Sequence, residues 1–527
     1  MAAFSMVAAP AHAAEEPADH PNIALIILDD IGTDTASDMY PGLIDQLEDM
    51  YGPSGRNHAD YAKIKGAPAS TPVLDHFAAQ GMTFSEAWAQ PFCSPSRASI
   101  LTGLYASKTG VRDYTNWLTQ DSHSIALDLK HAGYSTAIFG KWHLAGLNQY
   151  PGMKPKQASF DLFRGNMNGA IEGYWDYTYQ VQDQNSKADQ VRDEAAPANA
   201  LPGIKSTTYA PVTKIADAID WINDREADDP DKPWFVWMAY NLSHITSKMG
   251  APTVVPNEDA LDEASRKEMI ACGGQFGTAN VGNCSAEAMN RAMTNSMDTT
   301  IGKLLDFIDK TDPNTYVIIV GDNGTPMYGP EFINFIDNMY ITRVGRGKGT
   351  GYESGMRVPL AIRGPGIEPG TTSAAYLHVA DLFSTILDLA KAPVPENVSN
   401  REGTGMVTLD ARSLAPVLFG EEANVRDPVH DYIVSETAVP ILEDLTPTGE
   451  LSKYQVAVRN ATYKVLCTEK QGSTNCEFYN LVTDPIEEYP LTAPTSCPKQ
   501  LNRNFAADDQ AANFCFLRQA VREQADI

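Results

Sequence analysis

Long hydrophobic runs are absent from this chain of 527 residues. No stretch approaches the ~20 consecutive apolar residues that a membrane-spanning helix requires. The hydrophobic share of 43% and the charged share of 20% are nevertheless ordinary for a globular protein. The sequence therefore predicts no membrane span, and its length suits one large domain followed by a smaller one.

Positive charge is also scarce. The chain has 40 lysines and arginines against 67 aspartates and glutamates, which gives a formal net charge of -27. Because binding to nucleic-acid phosphates needs a basic surface, we expect no nucleic-acid partner. The same acidity argues mildly against long docking grooves for polyanionic glycans, although solubility or a saline habitat would explain it equally well.

Cysteine is uncommon, with seven residues in the chain. When Cys93 is set aside, the other six form three pairs of sequence neighbours. We predict the bridges Cys272–Cys284, Cys467–Cys476 and Cys497–Cys515, although six cysteines allow many other connectivities. Disulfides need an oxidising compartment, so we expect a periplasmic or secreted protein.

The first residues of the chain are rich in alanine. Ala11-His12-Ala13 is similar to the small-residue site at which secretory signals are cleaved. The positive region and the full apolar region of a signal are missing upstream of it. We expect residues 1–14 to be the remnant of a secretory signal, and we exclude them from the fold.

Four continuous apolar runs of strand length each end in polar residues. Such runs are typical of strands covered on both faces of a parallel sheet, which indicates an α/β fold. Because ligands bind at the carboxyl ends of the strands in such a sheet, we expect the polar residues to meet at one edge. The runs are residues 22–28, 134–139, 234–240 and 316–320, followed in turn by Asp29 and Asp30, by Lys141 and His143, by His244, and by Asp322 and Asn323.

Each of these groups also has an ordinary explanation when it is taken alone. Asp29 and Asp30 repel each other unless a cation such as Ca²⁺ lies between them, but a solvated turn would serve as well. Asp322 and Asn323 precede a glycine and also suit a turn. Their joint placement at the ends of strands favours a shared site over several separate coincidences.

The pattern changes after about residue 426. Short apolar runs at residues 431–436, 454–459, 463–468 and 477–481 predict a small antiparallel sheet. We therefore expect a large domain over residues 20–425 and a C-terminal domain over residues 426–527.

Residues 93–103 read Cys-Ser-Pro-Ser-Arg-Ala-Ser-Ile-Leu-Thr-Gly. Ser94 is a good N-cap and Pro95 suits the first helical position, so we expect a helix to begin there. Cys93 would then lie at the positive end of the helix, where an anion also binds, and Arg97 would follow one turn later. A lone cysteine in this position is more often an ordinary buried residue.

The whole segment resembles the signature of the formylglycine-dependent type I sulfatases, Cys-x-Pro-Ser-Arg followed by Leu-Thr-Gly. Residues 140–143, 348–359 and 477–485 resemble further segments of that family. The chain departs from the family pattern at Ser243 and Thr246, which flank His244, and at Ser354, where a glycine is usual. The resemblance implies an alkaline-phosphatase-like fold: a large, mostly parallel sheet sandwiched by helices, with a smaller C-terminal α+β domain that carries an antiparallel sheet.

The resemblance also implies the chemistry. A maturation enzyme would oxidise Cys93 to formylglycine, whose hydrated form, a geminal diol, is the nucleophile. One Ca²⁺ ion would be held by Asp29, Asp30, Asp322 and Asn323. The implied roles of the remaining residues are diol orientation for Arg97, sulfate binding for Lys141 and Lys348, proton transfer from the diol for His143, and protonation of the leaving alcohol for His244.

We therefore predict a sulfatase that releases inorganic sulfate from an aryl or carbohydrate sulfate monoester. Three alternatives remain: a phosphonate monoester hydrolase or phosphodiesterase of the same superfamily, a metal-dependent phosphatase with an unmodified nucleophile, and a catalytically silent secreted binding protein. The alcohol half of the substrate is not identified by the sequence. We expect it to be selected by residues 32–70, 147–205, 248–288 and 325–347.

Overall fold

In a computed structural model of the protein, the described residues are 20–59, 61, 64, 68–146, 151–246, 254–328, 333–334, 346–443, 446–501 and 503–525. The predicted signal remnant, residues 1–14, lies outside them, as do parts of the four predicted substrate-selecting segments. Within the described parts, no helix has both the length and the apolar character needed to cross a bilayer.

The strands, in chain order, are β1 (Ile23–Leu28), β2 (Met82–Phe84), β3 (Ala87–Trp88), β4 (Ser135–Lys141), β5 (Leu162–Asn166), β6 (Tyr179–Gln182), β7 (Arg192–Glu194), β8 (Asn199–Leu201), β9 (Ile204–Thr207), β10 (Trp234–Ala239), β11 (Tyr316–Gly321), β12 (Met327–Tyr328), β13 (Ile333–Asn334), β14 (Leu360–Arg363), β15 (Thr371–Ser373), β16 (Leu377–His378), β17 (Asn397–Ser399), β18 (Met406–Thr408), β19 (Ile433–Glu443), β20 (Thr446–Arg459), β21 (Tyr463–Lys470) and β22 (Ser473–Asn480).

The α-helices are α1 (Leu43–Tyr51), α2 (Pro72–Ala79), α3 (Cys93–Thr102), α4 (Ala106–Thr109), α5 (Ile125–His131), α6 (Ala210–Asp228), α7 (Glu263–Cys272), α8 (Ala286–Thr311), α9 (Glu353–Met356), α10 (Asp381–Leu389), α11 (Ala415–Leu418) and α12 (Gln510–Ala525).

The central sheet has ten strands in the order β15-β2-β14-β11-β1-β10-β4-β5-β6-β7. The five strands β11, β1, β10, β4 and β5 are parallel, and β14 and β6 flank them in antiparallel orientation. Every residue of β1, β10 and β11 is buried, which explains why the sequence shows continuous apolar runs there instead of alternation.

Helices cover both faces of this sheet. One face packs against α2, α6 and α8 through side chains such as Leu74, Ile215 and Ile301. The other packs against α3, α5 and α10 through Ile100, Leu129 and others. The predicted fold class, a mostly parallel sheet sandwiched by helices with a C-terminal antiparallel sheet, is confirmed.

The C-terminal sheet has the order β19-β20-β21-β22 and is antiparallel throughout. Helix α12 packs on it through Leu517 and Val521. Its strands are longer than predicted, since β19 and β20 continue past Pro440 by means of register shifts that absorb the proline. The predicted division between residues 425 and 426 stays a prediction.

All three predicted disulfides are present. They join Cys272 to Cys284, Cys467 to Cys476 and Cys497 to Cys515. The second bridge links directly opposed residues of β21 and β22, and the third ties residue 497 to α12. Cys93 is unpaired and buried.

Candidate active site

The polar residues predicted at the strand ends meet in one place, because β11, β1, β10 and β4 are neighbours in the sheet. The backbone turns sharply directly after these strands. Asp30 and His143 both have positive φ values, of 63° and 58°. Such values are uncommon outside glycine and concentrate at functional sites.

Cys93 is the first residue of α3, and the side chains of this helix are all buried. The expectation that Ser94 caps the helix is wrong: Phe92 is the N-cap residue. The turn is held instead by Ser96, whose hydroxyl accepts from the backbone N–H of Gln90 at 2.9 Å and donates to the carbonyl of Phe92 at 3.1 Å. Burial raises the pKa of the Cys93 thiol, although the charges of Lys141 and Lys348 oppose the shift.

His143 contacts Cys93 directly, with 3.1 Å between Nδ1 and Sγ. Burial and the neighbouring charge of Lys141 lower the pKa of His143, so the imidazole is neutral at neutral pH. Gly169 lies against the ring so closely that a Cβ atom at this position would come within 2.4 Å of Nε2. The backbone N–H of His143 donates to the carbonyl of Met167 at 3.0 Å, which holds residue 143 against the segment that leads to Gly169.

Arg97 connects the helix to the sheet. Its guanidinium donates to Asp322 Oδ2 from Nε at 3.1 Å and from Nη2 at 2.8 Å, and to the carbonyl of Lys141 at 2.8 Å. Both side chains of the Arg97–Asp322 pair have no exposed surface. In this arrangement Arg97 fixes the orientation of Asp322 and the end of β4.

Two lysines pair with two of the carboxylates. Lys141 Nζ lies 2.7 Å from Asp29 Oδ2, and Lys348 forms an ion pair with Asp30. Burial raises the pKa of Asp29 to about 7 despite Lys141. Burial acts in the same direction on Asp30, but the charges of Lys348 and His244 outweigh it and the pKa of Asp30 falls below its usual range.

The acidic residues fit a hard cation. Asp29 Oδ1 and Asn323 Oδ1 are buried side-chain oxygens without a hydrogen-bond partner in the described part of the chain. Ligand atoms of Asp29, Asp30 and His244 lie within 4.8 Å of one another, as do those of Asp29, Cys93 and Asp322. Carboxylate and amide oxygens are what Ca²⁺ prefers, and a bound cation would satisfy both orphaned atoms.

His244 lies beside Asp30 at the end of β10. Its Nδ1 is 2.8 Å from the carbonyl of Ile245, so Nδ1 carries the hydrogen and Nε2 is the acceptor. Burial lowers the pKa of His244 to about 3, against the opposing charge of Asp30. Tyr174 holds this turn, since its hydroxyl lies 2.6 Å from the carbonyl of Asn241 and 2.8 Å from that of His244.

Sequence reasoning missed Lys214, a buried lysine on α6. Its ammonium donates to Asn166 Oδ1 at 3.0 Å and also to the side chain of Asn241, so it bridges the ends of β5 and β10 across β4. Burial lowers the pKa of Lys214 to about 7. Its apolar helical neighbours could have signalled that it is buried, but no pattern links it to either asparagine.

A mostly parallel sheet with helices on both faces, and with acids, lysines and histidines gathered at one edge, defines an α/β enzyme of alkaline-phosphatase-like fold. The family model described as Sulfatase matches residues 21–392. The chain therefore belongs to the sulfatase family, and the predicted enzyme class, a sulfuric ester hydrolase, is confirmed.

Named relatives agree with this assignment. The chain is 27% identical over 503 residues to N-acetylgalactosamine-6-sulfatase of Canis lupus familiaris, covering 90% of this chain and 82% of the relative. It is 27% identical over 436 residues to arylsulfatase G of Mus musculus, covering 77% and 70%.

Solved structures show the same fold. The crystal structure of Ps i-CgsB in complex with k-i-k-neocarrahexaose has a TM-score of 0.60 and is 21% identical, covering 90% of this chain and 88% of that chain. The phosphonate monoester hydrolase of Agrobacterium radiobacter has a TM-score of 0.53 at 19% identity, covering 89% and 91%. At these identities the likeness concerns the fold alone.

Proposed function

We propose that this sulfatase hydrolyses a sulfate monoester with a formylglycine derived from Cys93 and with one Ca²⁺ ion held by Asp29, Asp30, Asp322 and Asn323. The observation that carries the proposal is the setting of Cys93. Its Sγ lies 3.1 Å from His143 Nδ1, at the edge of a cluster in which Lys141 and Lys348 pair with buried carboxylates.

The lysines are suited to hold the sulfate group. Lys141 is fully buried, and the Lys348 side chain is 14% exposed, so both ammonium groups act where water screens them little. A sulfate that binds near residue 93 exposes negative oxygens to both lysines. Such fixed charges stabilise the transition state because they need no reorganisation during the reaction.

Formylglycine would supply a geminal diol, one hydroxyl of which attacks sulfur while the other allows sulfate to be released. Bound Ca²⁺ would polarise a sulfate oxygen and favour the ionised nucleophile. His143 is neutral, which suits a residue that takes a proton from an atom at position 93. Asp322, fixed by Arg97, faces the same atom from the sheet side.

His244 is suited to protonate the leaving alcohol. Because Nδ1–H points to the carbonyl of Ile245, Nε2 is the atom that exchanges a proton with the substrate. The negative charge of a bound sulfate would raise the pKa of His244 from its low value, so that the imidazole can donate a proton to the departing alcohol together with Lys348.

The alcohol half is proposed to be a carbohydrate or an aryl group. The names of two relatives, N-acetylgalactosamine-6-sulfatase and arylsulfatase G, support these classes. Three disulfides support a periplasmic or secreted location, because such bridges persist in oxidising compartments. A formylglycine-generating maturation enzyme would be the partner that acts on Cys93.

Intact mass and sulfate release test the proposal together. Conversion of Cys93 lowers the mass of its proteolytic peptide by about 18 Da. Converted protein is expected to cleave sulfate monoesters much faster than phosphonate monoesters, and unconverted protein is expected to be inactive on both. Activity in fully unconverted protein would favour a phosphatase-like mechanism, and a preference for phosphonate would favour the rival hydrolase.

A further inference from the structure

Lys214 is a buried cation that has no part in the proposed chemistry. It lies on α6 and is 1% exposed, and its neighbour Ile215 packs that helix against the sheet. The methylene stem of Lys214 crosses β4 at Gly140, where a Cβ atom would lie 3.5 Å from Lys214 Cδ. A buried ammonium is costly unless acceptors face it, so the two acceptors of Lys214 are a specific feature of the fold.

The first acceptor, Asn166, anchors the ammonium to the sheet. Lys214 Nζ donates to Asn166 Oδ1 at 3.0 Å, and Asn166 is the last residue of β5. The carbonyl of Asn166 accepts from the backbone N–H of Trp142 at 3.0 Å, and its Nδ2 donates to the carbonyl of Asn168 at 2.8 Å. The ammonium is therefore fixed relative to the ends of β4 and β5.

The second acceptor, Asn241, stands at the start of the turn that carries His244. Its Oδ1 accepts from Lys214, whereas its Nδ2 is buried without an acceptor in the described part of the chain. The backbone carbonyl of Asn241 accepts from the hydroxyl of Tyr174 at 2.6 Å and from the backbone N–H of His244 at 2.8 Å. Lys214 thus holds the residue on which the backbone of His244 is seated.

The position of this turn decides where the His244 imidazole lies. Nδ1 is bound to the carbonyl of Ile245, so Nε2 is the atom available to a substrate. A proton passes efficiently only when the two heavy atoms are within about 2.6–3.2 Å of each other. A displacement of about 1 Å can therefore cost roughly a hundredfold in rate.

The same turn meets the acidic cluster through bonds that do not involve Lys214. The backbone N–H of Ser243 donates to the carbonyl of Asp29 at 2.8 Å, and the N–H of Asp29 donates to the carbonyl of Leu242 at 3.3 Å. These backbone bonds stay in place when the lysine side chain is replaced. Loss of Lys214 should therefore disturb His244 more than it disturbs the carboxylates.

We propose that Lys214 is a positioning residue for His244: its ammonium ties Asn241 to the end of β5 and so sets the imidazole at the distance needed to protonate the leaving alcohol. This inference rests on the proposed function and adds to it a residue that touches neither the sulfate nor the nucleophile.

The test compares phenyl sulfate with 4-nitrophenyl sulfate, because phenol is the poorer leaving group and depends more on protonation. Lys214→Met removes the ammonium and keeps an apolar stem. We expect it to lower kcat/KM about a hundredfold on phenyl sulfate and less than about threefold on 4-nitrophenyl sulfate. The Ki of inorganic sulfate should stay within about twofold of the wild-type value, because the lysines proposed to hold sulfate are unchanged.

Two further variants show whether the effect passes through His244. Asn241→Ala removes the acceptor instead of the cation, so it repeats the test without a change of charge and serves even if Lys214→Met does not fold. His244→Ala should show the same selective loss on phenyl sulfate, and Lys214→Met should add little to it, because residues that act through one another are not additive.

Lys156→Met is the matched control. This half-buried lysine also donates to fixed acceptors, the carbonyls of Asp183 at 2.8 Å and Ser186 at 2.6 Å, but these lie beyond β6 and away from the turn at residue 241. We expect its ratio of kcat/KM on the two substrates to equal that of the wild type.

A loss confined to phenyl sulfate in Lys214→Met and Asn241→Ala, and absent when His244 is already alanine, supports the inference. Equal losses on both substrates, or full additivity with His244→Ala, would overturn it and leave the proposed function intact. If converted wild-type protein cleaves neither sulfate ester, the proposed function itself fails, which is a distinguishable outcome.

Discussion

At the scale of single residues, the nucleophile is open to a direct test. We expect Cys93→Ser to abolish multiple turnover, because a serine hydroxyl can accept a sulfuryl group but has no second hydroxyl with which to release it. Rapid-quench measurements should then detect at most one sulfate transferred per protein molecule. Steady-state activity at the wild-type level would contradict the assignment of residue 93.

Gly169 offers a test of His143 that leaves every polar group in place. An added methyl group would collide with the imidazole, since the Cβ position lies 2.4 Å from Nε2. We expect Gly169→Ala to lower kcat by about two orders of magnitude, the lower end of what a positioned general base contributes. Kinetics on 4-nitrophenyl sulfate would measure this.

Gly173→Ala is the matched control for that variant. Its Cβ position is 3.2 Å from the carbonyl oxygen of Asp176 and contacts no catalytic residue among its nearest atoms. We expect near-normal kcat there. A comparable loss of kcat in both variants would mean that the added methyl groups disturb the segment around residues 169–173, and not the His143 imidazole.

Single residues of the site could be predicted from the sequence where a charged or polar residue stands at the end of a buried strand. Asp29 and Asp322 directly follow buried strands and Lys141 is the last residue of one, so the topology brings all three together without further information. Lys214 escaped prediction because its partners, Asn166 and Asn241, lie on two other strands. Ser94 was misjudged as the N-cap because the hydroxyl of Ser96, two residues later, secures the turn instead.

At the scale of elements, the segment that carries Lys348 is held by the C-terminal sheet. Lys464 on β21 lies 3.0 Å from Glu353 Oε1 and 2.6 Å from Glu487 Oε1. Glu353, on α9, also accepts from the indole N–H of Trp88 at 3.1 Å. Lys348, which we propose to bind sulfate, is thus five residues from Glu353 and the buried charge network that the C-terminal sheet completes.

We expect Lys464→Met to lower the free energy of unfolding by roughly 3–5 kcal/mol, because it leaves two buried carboxylates without their cation. We also expect it to raise the Ki of inorganic sulfate, since α9 would shift near Lys348. Urea unfolding and product inhibition measure the two effects. Lys470→Met, at the exposed end of the same strand, should change neither, and a sulfate Ki unaffected by Lys464→Met would disprove the coupling.

Strands that are buried on both faces were predictable, since β1 and β11 read as unbroken apolar runs. The hairpin of β19 and β20 was predicted too short, because Pro440 and Pro447 suggest turns. Backbone pairing continues past both prolines, helped by shifts in register. Sequence pattern reports side-chain burial, and it says little about how far a hairpin extends beyond the core.

At the scale of the whole molecule, His378 is one of the buried groups through which stability is expected to depend on pH. Its Nδ1 accepts from the backbone N–H of Ala380 at 3.1 Å, and burial lowers its pKa to about 3 despite Asp381. The unfolded chain binds this proton near pH 6.5, so the free energy of unfolding falls as pH drops from 6.5 towards 3. For this group alone the loss is about 2 kcal/mol at pH 5.

His378→Asn isolates that contribution, because the asparagine oxygen can replace Nδ1 as acceptor but does not titrate. We expect the stability advantage of the wild type over the variant to be about 2 kcal/mol smaller at pH 5 than at pH 8. Urea unfolding at both pH values would measure it. A gap that is constant with pH would show that His378 does not titrate as described.

Removal of divalent cations should affect the molecule as a whole. The site concentrates three buried carboxylates, so loss of a bound cation is expected to abolish activity and to lower the Tm by several degrees. Differential scanning calorimetry and sulfate release after chelation would record both. Addition of Ca²⁺ should restore them in the wild type but not in Asp29→Asn, and an unchanged rate after metal depletion would refute the proposed ion.

The helix that begins at Cys93 has a consequence for how the protein is made. All ten of its residues are buried, so an oxidising enzyme cannot reach the thiol once the chain has closed. If Cys93 is converted to formylglycine as proposed, conversion would have to precede the closing of the fold around α3. A molecule that folds before conversion would keep an unmodified Cys93 and stay inactive. The fraction of active protein in a preparation would then equal the fraction converted before folding.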